Sequence, residues 1–144
     1  MLKVRVKKLC PEARIPKLEH SGDSGVDLYS VESCTIMPGE IRLVKTGLAI
    51  SFPEGFEAQV RPKSGLALNS GIGIVNSPGT IDSGYRGEIC VILVNHGKKD
   101  FVVEKGKKIC QMVFQKIEKP EFEISESLDE TKRGKNGFGS TGLD

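Results

Sequence analysis

The chain opens with alternation. In Met1-Leu2-Lys3-Val4-Arg5-Val6-Lys7-Lys8 apolar and basic residues take turns, the two-residue period of a half-buried strand. Short apolar segments then follow one another, each bounded by turn residues. Val26 and Leu28 flank Asp27 after the turn Ser21-Gly22-Asp23-Ser24-Gly25. Ile41, Leu43, Leu48, Ile50 and Phe52 lie between Met37-Pro38-Gly39-Glu40 and Phe52-Pro53-Glu54-Gly55, two Pro–Gly signals about fifteen residues apart. Phe56 to Val60, Gly71 to Asn76, Phe101 to Val103 and Ile109 to Ile117 read as further strands. Ile89 to Val94 is apolar at every position and predicts a strand buried on both faces, entered through a β-hairpin that carries Asp82 and Tyr85. Only Ser64 to Ser70 offers a helical turn or two. The pattern predicts an all-β domain, a jelly roll or distorted β-barrel of short antiparallel strands.

The pattern changes at Glu118. Glu121, Glu123, Glu126, Asp129 and Glu130 then dominate, and the chain ends in a glycine-rich stretch. The expected organisation is one domain, with a core over 1–117 and an extended C-terminal arm over 118–144. A length of 144 residues suits a single core. The formal net charge of +2 is too small to imply nucleic acid or a membrane as the main partner. No apolar run reaches the roughly 18 residues of a transmembrane helix, and the basic N-terminus has no signal-peptide core, so the expected location is cytoplasmic. The four cysteines and two histidines are too scattered for a zinc site, and the thiols read as reduced.

Candidate chemistry sits in the turns. Asp82 and Tyr85 fall three residues apart in Gly79-Thr80-Ile81-Asp82-Ser83-Gly84-Tyr85-Arg86-Gly87, where Asp82 can serve as a general base and Tyr85 can pack a flat substrate. The same residues also suit a plain turn with a core aromatic. Asp27 faces either a polar cleft or solvent. Arg61-Pro62-Lys63-Ser64-Gly65 ends a strand in two cations and a possible anion-binding nest, or in a solvated basic turn. The Asn76 amide can pair with the edge of a nucleobase. Gln111, polar among Ile109, Met112, Val113 and Phe114, needs either a cleft or backbone partners.

Taken together, five stretches resemble the five motifs of the trimeric deoxyuridine triphosphatase (dUTPase) family, in order and over essentially the whole chain. They are Ser24-Gly25-Val26-Asp27-Leu28, Arg61-Pro62-Lys63-Ser64-Gly65-Leu66-Ala67, the Gly79–Gly87 stretch, Gly106-Lys107-Lys108-Ile109-Cys110-Gln111-Met112, and Arg133-Gly134-Lys135-Asn136-Gly137-Phe138-Gly139-Ser140-Thr141-Gly142. Ser24, Lys63 and Cys110 stand where the family usually has Ala, Arg and Ala. Lys63 keeps the charge of Arg without its bidentate fork.

The resemblance implies a homotrimeric jelly roll that hydrolyses dUTP to dUMP and pyrophosphate, with Mg²⁺ on the triphosphate. It implies that Asp82 activates the attacking water and binds the sugar 3′-hydroxyl, and that Tyr85 packs under the deoxyribose. Asn76, with the backbone of the hairpin after Gly73, would meet the uracil edge, and Gly79, Thr80 and Ile81 would line the substrate. Lys63, Ser64 and Gly65 would hold phosphates. Gln111 would hold an α-phosphate oxygen or the water, and Asp27 would hold metal-bound water or orient Arg61. On the arm, Phe138 would stack on uracil while Arg133, Gly139, Ser140 and Thr141 close over the γ-phosphate. Two alternatives are a dCTP deaminase on the same fold and a nucleotide-binding module without turnover. The first needs its own glutamate acid/base and the second should lack Asp82 or the arm.

Overall fold

The computed structural model describes residues 1–137. Eleven strands and one helix run in the order β1 (Arg5–Lys8), β2 (Gly25–Tyr29), β3 (Cys34–Ile36), β4 (Ile41–Lys45), β5 (Leu48–Ser51), β6 (Phe56–Arg61), α1 (Ser64–Ser70), β7 (Ile72–Ile74), β8 (Gly79–Asp82), β9 (Cys90–Asn95), β10 (Phe101–Val103) and β11 (Lys108–Lys116). They form antiparallel sheets of order β1-β5, β3-β10, β2-β11-β6-β8 and β4-β9-β7. Among the described residues the sheets do not close into a barrel, so the double-sheet form of the expected fold is the one adopted. Both Pro–Gly turns form, with Gly39 and Gly55 in the left-handed region at φ 78° and 83°.

One core joins the sheets. Leu28, Ile36, Val44, Leu48, Ile72, Leu93, Val103 and Met112 are buried in it, supplied by eight different strands. Phe52 and Phe114 meet edge to face at 5.4 Å between centroids. Asn95 is fully buried at the end of β9. Its amide donates to the Ile36 and Lys99 carbonyls, both at 2.8 Å, and its oxygen accepts the Gly97 N–H.

Two expectations about pairing are corrected. Asp82 and Tyr85 are not carried by a β8–β9 hairpin, because β8 pairs with β6 while β9 pairs with β4 and β7. The segment after Gly73 is likewise a crossing between sheets, since β7 belongs to β9's sheet and β8 to β6's. Nor is β9 buried on both faces along its whole length, although Val94 at its end is buried on the outer one. Val91 and Leu93 enter the core, whereas Cys90 and Ile92 are half-buried and line a cleft. An apolar cleft wall and a second buried face have the same composition, which is why alternation could not separate them.

Past Ile117, whose N–H donates to the Gly55 carbonyl, the chain to residue 137 has no regular strand or helix and is almost wholly exposed. Phe122, Ile124 and Leu128 lie bare along it. No helix among the described residues is long and apolar enough to cross a membrane.

Candidate active site

Strand periodicity sets up the first cleft. Along β8, Gly79 and Ile81 turn inward while Thr80 and Asp82 turn outward. Ile81 therefore offers a bound molecule its backbone rather than its side chain. Asp82 ends the strand, and its carbonyl accepts the Tyr85 N–H at 3.0 Å, closing a turn. Arg86 curls over that turn and donates to the carbonyls of Ser83 and Tyr85 at 2.7 and 2.8 Å. Thr80, Asp82 and Tyr85, with Leu43, Cys90 and Ile92, line an open cleft of about 390 Å³. Here an exposed carboxylate stands beside an aromatic face and an apolar wall, which suits a general base next to a flat, partly apolar ligand. Asn76 lies on the exposed Val75–Pro78 crossing at the start of β8. Its Nδ2 is the nearest atom, at 3.3 Å, to where a Cβ on Gly79 would stand.

The second cleft lies at the other edge of the same sheet, about 400 Å³ in volume, and contains Ser24, Asp27, Lys63, Lys108 and Gln111. Asp27 pairs across β2–β11 with Gln111, on the polar face of the sheet. Its two carboxylate oxygens are held by the ammonium groups of Lys63 and of Lys108, the latter at 2.6 Å. Burial pushes the Asp27 carboxyl up, but the hydrogen bonds from Lys108 and Lys63 outweigh it and hold the group below the usual carboxylate range. The Lys108 ammonium is raised in turn by its bond to Asp27. Gln111 Nε2 donates to the Pro62 carbonyl at 2.9 Å. The amide has room because residue 25 is glycine. A Cβ there would stand 2.8 Å from Gln111 Oε1. Lys63 precedes α1 and its carbonyl accepts the Ala67 N–H, so the amides of Ser64 and Gly65 open the helix with no partner inside it.

Between the clefts runs a row of half-buried polar side chains on β6. Arg61 Nε and Nη2 donate to Gln59 Oε1 at 3.0 and 2.6 Å, and Gln59 Nε2 donates to Glu57 Oε1. The expectation that Asp27 orients Arg61 is therefore not met, because Gln59 takes the guanidinium and two lysines take the carboxylate. The Lys108 contact was not foreseen. Its only sequence signal is its place in the fourth motif, since nothing local says that β11 lies beside β2. Asp27 cannot double as a direct metal ligand beside two ammonium groups, and no cluster of three or more His, Cys, Asp or Glu side chains occurs among the described residues. A magnesium site built by the protein does not fit this cleft.

A third cleft, larger at about 560 Å³, lies between α1 and the 96–101 loop. It holds none of the expected site residues, and its one carboxylate is Asp100. Arg133 is exposed on the arm and donates to the Asn136 carbonyl at 3.0 Å. Phe138, Gly139, Ser140 and Thr141 lie outside the described residues.

Residues from each of the first four motifs thus line one or other of two clefts. The dUTPase family model matches residues 11–142. The chain belongs to the dUTPase family. The reaction of that family is dUTP hydrolysis. A deoxyuridine 5′-triphosphate nucleotidohydrolase of Clostridioides difficile is 54% identical over 143 residues, covering 99% of this chain and 100% of that one. One of Helicobacter pylori is 52% identical over 142 residues, covering 99% and 98%. A dUTPase of Staphylococcus bacteriophage 80alpha, solved with dUpNHpp, superposes with a TM-score of 0.91 at 28% identity over 98% of this chain and 99% of that one. A dUTPase of phage phi11 of S. aureus, described with a structural Mg(II) ion, gives 0.82 at 25% identity over 87% and 97%. The fold is the jelly roll of these dUTPases.

Proposed function

We propose that the protein hydrolyses dUTP to dUMP and pyrophosphate as a homotrimer, in sites that each draw on more than one subunit. The supporting observation is the separation of the two clefts on one sheet. Asp82 pairs with Glu57 at one end of β6, and Gln111 pairs with Arg61 at the other. Four residues along a strand and two strand spacings across put their backbones about 16 Å apart. The Arg61–Gln59–Glu57 row fills the face between them, and the clefts share no lining residue. A base and an α-phosphate ligand must each come within hydrogen-bond reach, about 3 Å, of one phosphoryl group or its attacking water. Bringing one chain's Asp82 cleft against another chain's Gln111 cleft meets that requirement.

In this reading Asp82 takes the proton from a water as its oxygen bonds to the α-phosphorus. The bond from the α-phosphorus to the bridging oxygen breaks, and its electron pair leaves with pyrophosphate. Asp82 also holds the 3′-hydroxyl, and Tyr85 lies under the deoxyribose where a 2′-hydroxyl would clash. Asn76 and the 75–78 backbone meet the uracil edge too closely for a 5-methyl group, and Gly79, Thr80 and Ile81 complete that wall. From the second chain, Gln111 holds the α-phosphate oxygen or the water, while Lys63 and the amides of Ser64 and Gly65 hold the outer phosphates. Asp27 keeps Lys63 in place rather than touching metal. Magnesium would arrive with the triphosphate as part of the substrate, and would supply charge neutralisation there rather than occupy a site built by the protein. A third chain's arm closes the site, with Phe138 on uracil and Arg133, Gly139, Ser140 and Thr141 over the γ-phosphate. The bare Phe122, Ile124 and Leu128 support an arm that packs on a neighbour. In a cytoplasmic setting the reaction limits uracil in DNA and supplies dUMP for thymidylate synthesis.

The test is pyrophosphate release from dUTP, with dTTP, dCTP and UTP as controls, on material whose mass in solution is measured. Release from dUTP alone by a trimer is expected. Ammonia release from dCTP, or tight dUTP binding with no turnover, would refute the reading.

A further inference from the structure

Tyr85 is held by its own stretch of chain. It is 47% exposed, and its hydroxyl donates to the Glu88 carbonyl at 3.0 Å. The ring lies over Gly87 so closely that a Cβ there would fall 2.5 Å from Tyr85 Cζ and 2.9 Å from Cε2, and nearer still to the hydroxyl. Gly87 does not sit in the left-handed region. The backbone therefore has no need of glycine at this position, and the space under the ring does.

Glu88 is anchored in turn. Its Oε1 accepts the Gly47 N–H at 2.9 Å, in the turn between β4 and β5. The next residue, Ile89, is buried and locked to the same segment. Its N–H donates to the Leu48 carbonyl at 2.7 Å, and its carbonyl accepts Thr46 Oγ1 at 2.6 Å. The carbonyl that receives the Tyr85 hydroxyl is thus fixed on the β4–β5 turn, outside the Gly79–Gly87 stretch.

We infer that Gly87 and Glu88 are positioning residues that set the angle of the Tyr85 ring across the cleft, and through it the refusal of ribonucleotides. The second half of this rests on the sugar contact assigned to Tyr85 above. A bare ring on a turn would swing away from a 2′-hydroxyl. A ring seated on Gly87 and tied to a fixed carbonyl gives a wall that deforms poorly.

The experiment has two readouts. The first is the ratio of kcat/KM for dUTP to that for UTP. The second is the NMR signal of tyrosine rings in protein labelled at tyrosine, which needs no turnover. The chain has two tyrosines, so Tyr29 is the internal control and Tyr85→Ala identifies the other ring. Gly87→Ala should fold, because the atoms its methyl meets belong to a half-exposed side chain that can swing outward. It should shift the Tyr85 signals, leave those of Tyr29, and lower the ratio at least about tenfold, within the range set by ångström-scale misplacement. Glu88→Ala should act in the same direction. Glu88→Gln keeps an oxygen for the Gly47 N–H and should restore the ratio to within about threefold. In a Tyr85→Ala background, Gly87→Ala should do nothing further.

Unmoved Tyr85 signals in folded Gly87→Ala would overturn the positioning role. So would an equal loss of the ratio when Tyr85 is absent. Shifted Tyr85 signals with an unchanged ratio would overturn the link to discrimination. A wild-type protein that turns over UTP as readily as dUTP would show instead that the sugar assignment had failed, and with it the discriminating role.

Discussion

Two inactive variants should make an active mixture. Asp82→Asn keeps size and loses the proton acceptor, and the expected loss is at least ~10²-fold in turnover, the scale of general-base removal. Gln111→Ala removes the amide that lines the other cleft and frees the Pro62 carbonyl into an open space, so the fold should be kept. If each site takes Asp82 from one subunit and Gln111 from another, a random mixed trimer contains sites with both intact. Such a site needs its Asp82 from a Gln111→Ala chain and its Gln111 from an Asp82→Asn chain. At equal proportions that happens in about one site in four, so about a quarter of wild-type activity should return in a cyclic assembly. The geometry behind this is the pairing of Asp82 with Glu57 and of Gln111 with Arg61 at opposite ends of β6. The assay is pyrophosphate release after the two variants are unfolded and refolded together, beside each refolded alone. A mixture no faster than its components would refute the shared site, because a site built within one chain carries one lesion or the other in every copy.

Three more outcomes are expected. A chain ending before Arg133 should melt at the full-length temperature, since among the described residues the arm's one ion pair to the core is the exposed Lys119–Glu54 contact, yet it should lose most turnover in the pyrophosphate assay. Asn95→Ala should cost about 2–4 kcal/mol in urea unfolding, because it strands the buried Ile36 carbonyl and also removes the bonds to the Lys99 carbonyl and the Gly97 N–H; a cost under 1 kcal/mol would show that water replaces the amide. Asp27 is depressed in the folded state, so its contribution is present above the ordinary value of 3.8 and is lost as pH falls through its lower folded value. Asp27→Asn should therefore be less stable than wild type at pH 7 and decline less steeply below pH 3.8, as followed by urea midpoints across that range.

Much of the fold was legible because strands and turns are local. Alternation at Arg5–Lys8, the two Pro–Gly turns, the helical turns at Ser64–Ser70 and the long strand ending at Lys116 all follow from residues within a few positions of one another. The five motifs were legible for the same reason, since each is a contiguous run. Partnership was not legible. Consecutive strands suggested hairpins, but β7 and β8 went to different sheets, because each apolar face is buried against whatever the rest of the chain supplies. Asn95 is buried although the polar run His96–Asp100 follows it, because its three partners come together only when β3 and the 97–99 loop fold around it. The two lysines on Asp27, the seat of Tyr85 on Gly87, and the separation of Asp82 from Gln111 are likewise properties of register across a sheet. Sequence by itself determined the short strands, the turns between them and the five contiguous runs that match the motifs of the family. Only the tertiary structure decided which of them meet within one chain, because strand pairing is settled by the burial of faces far apart in sequence.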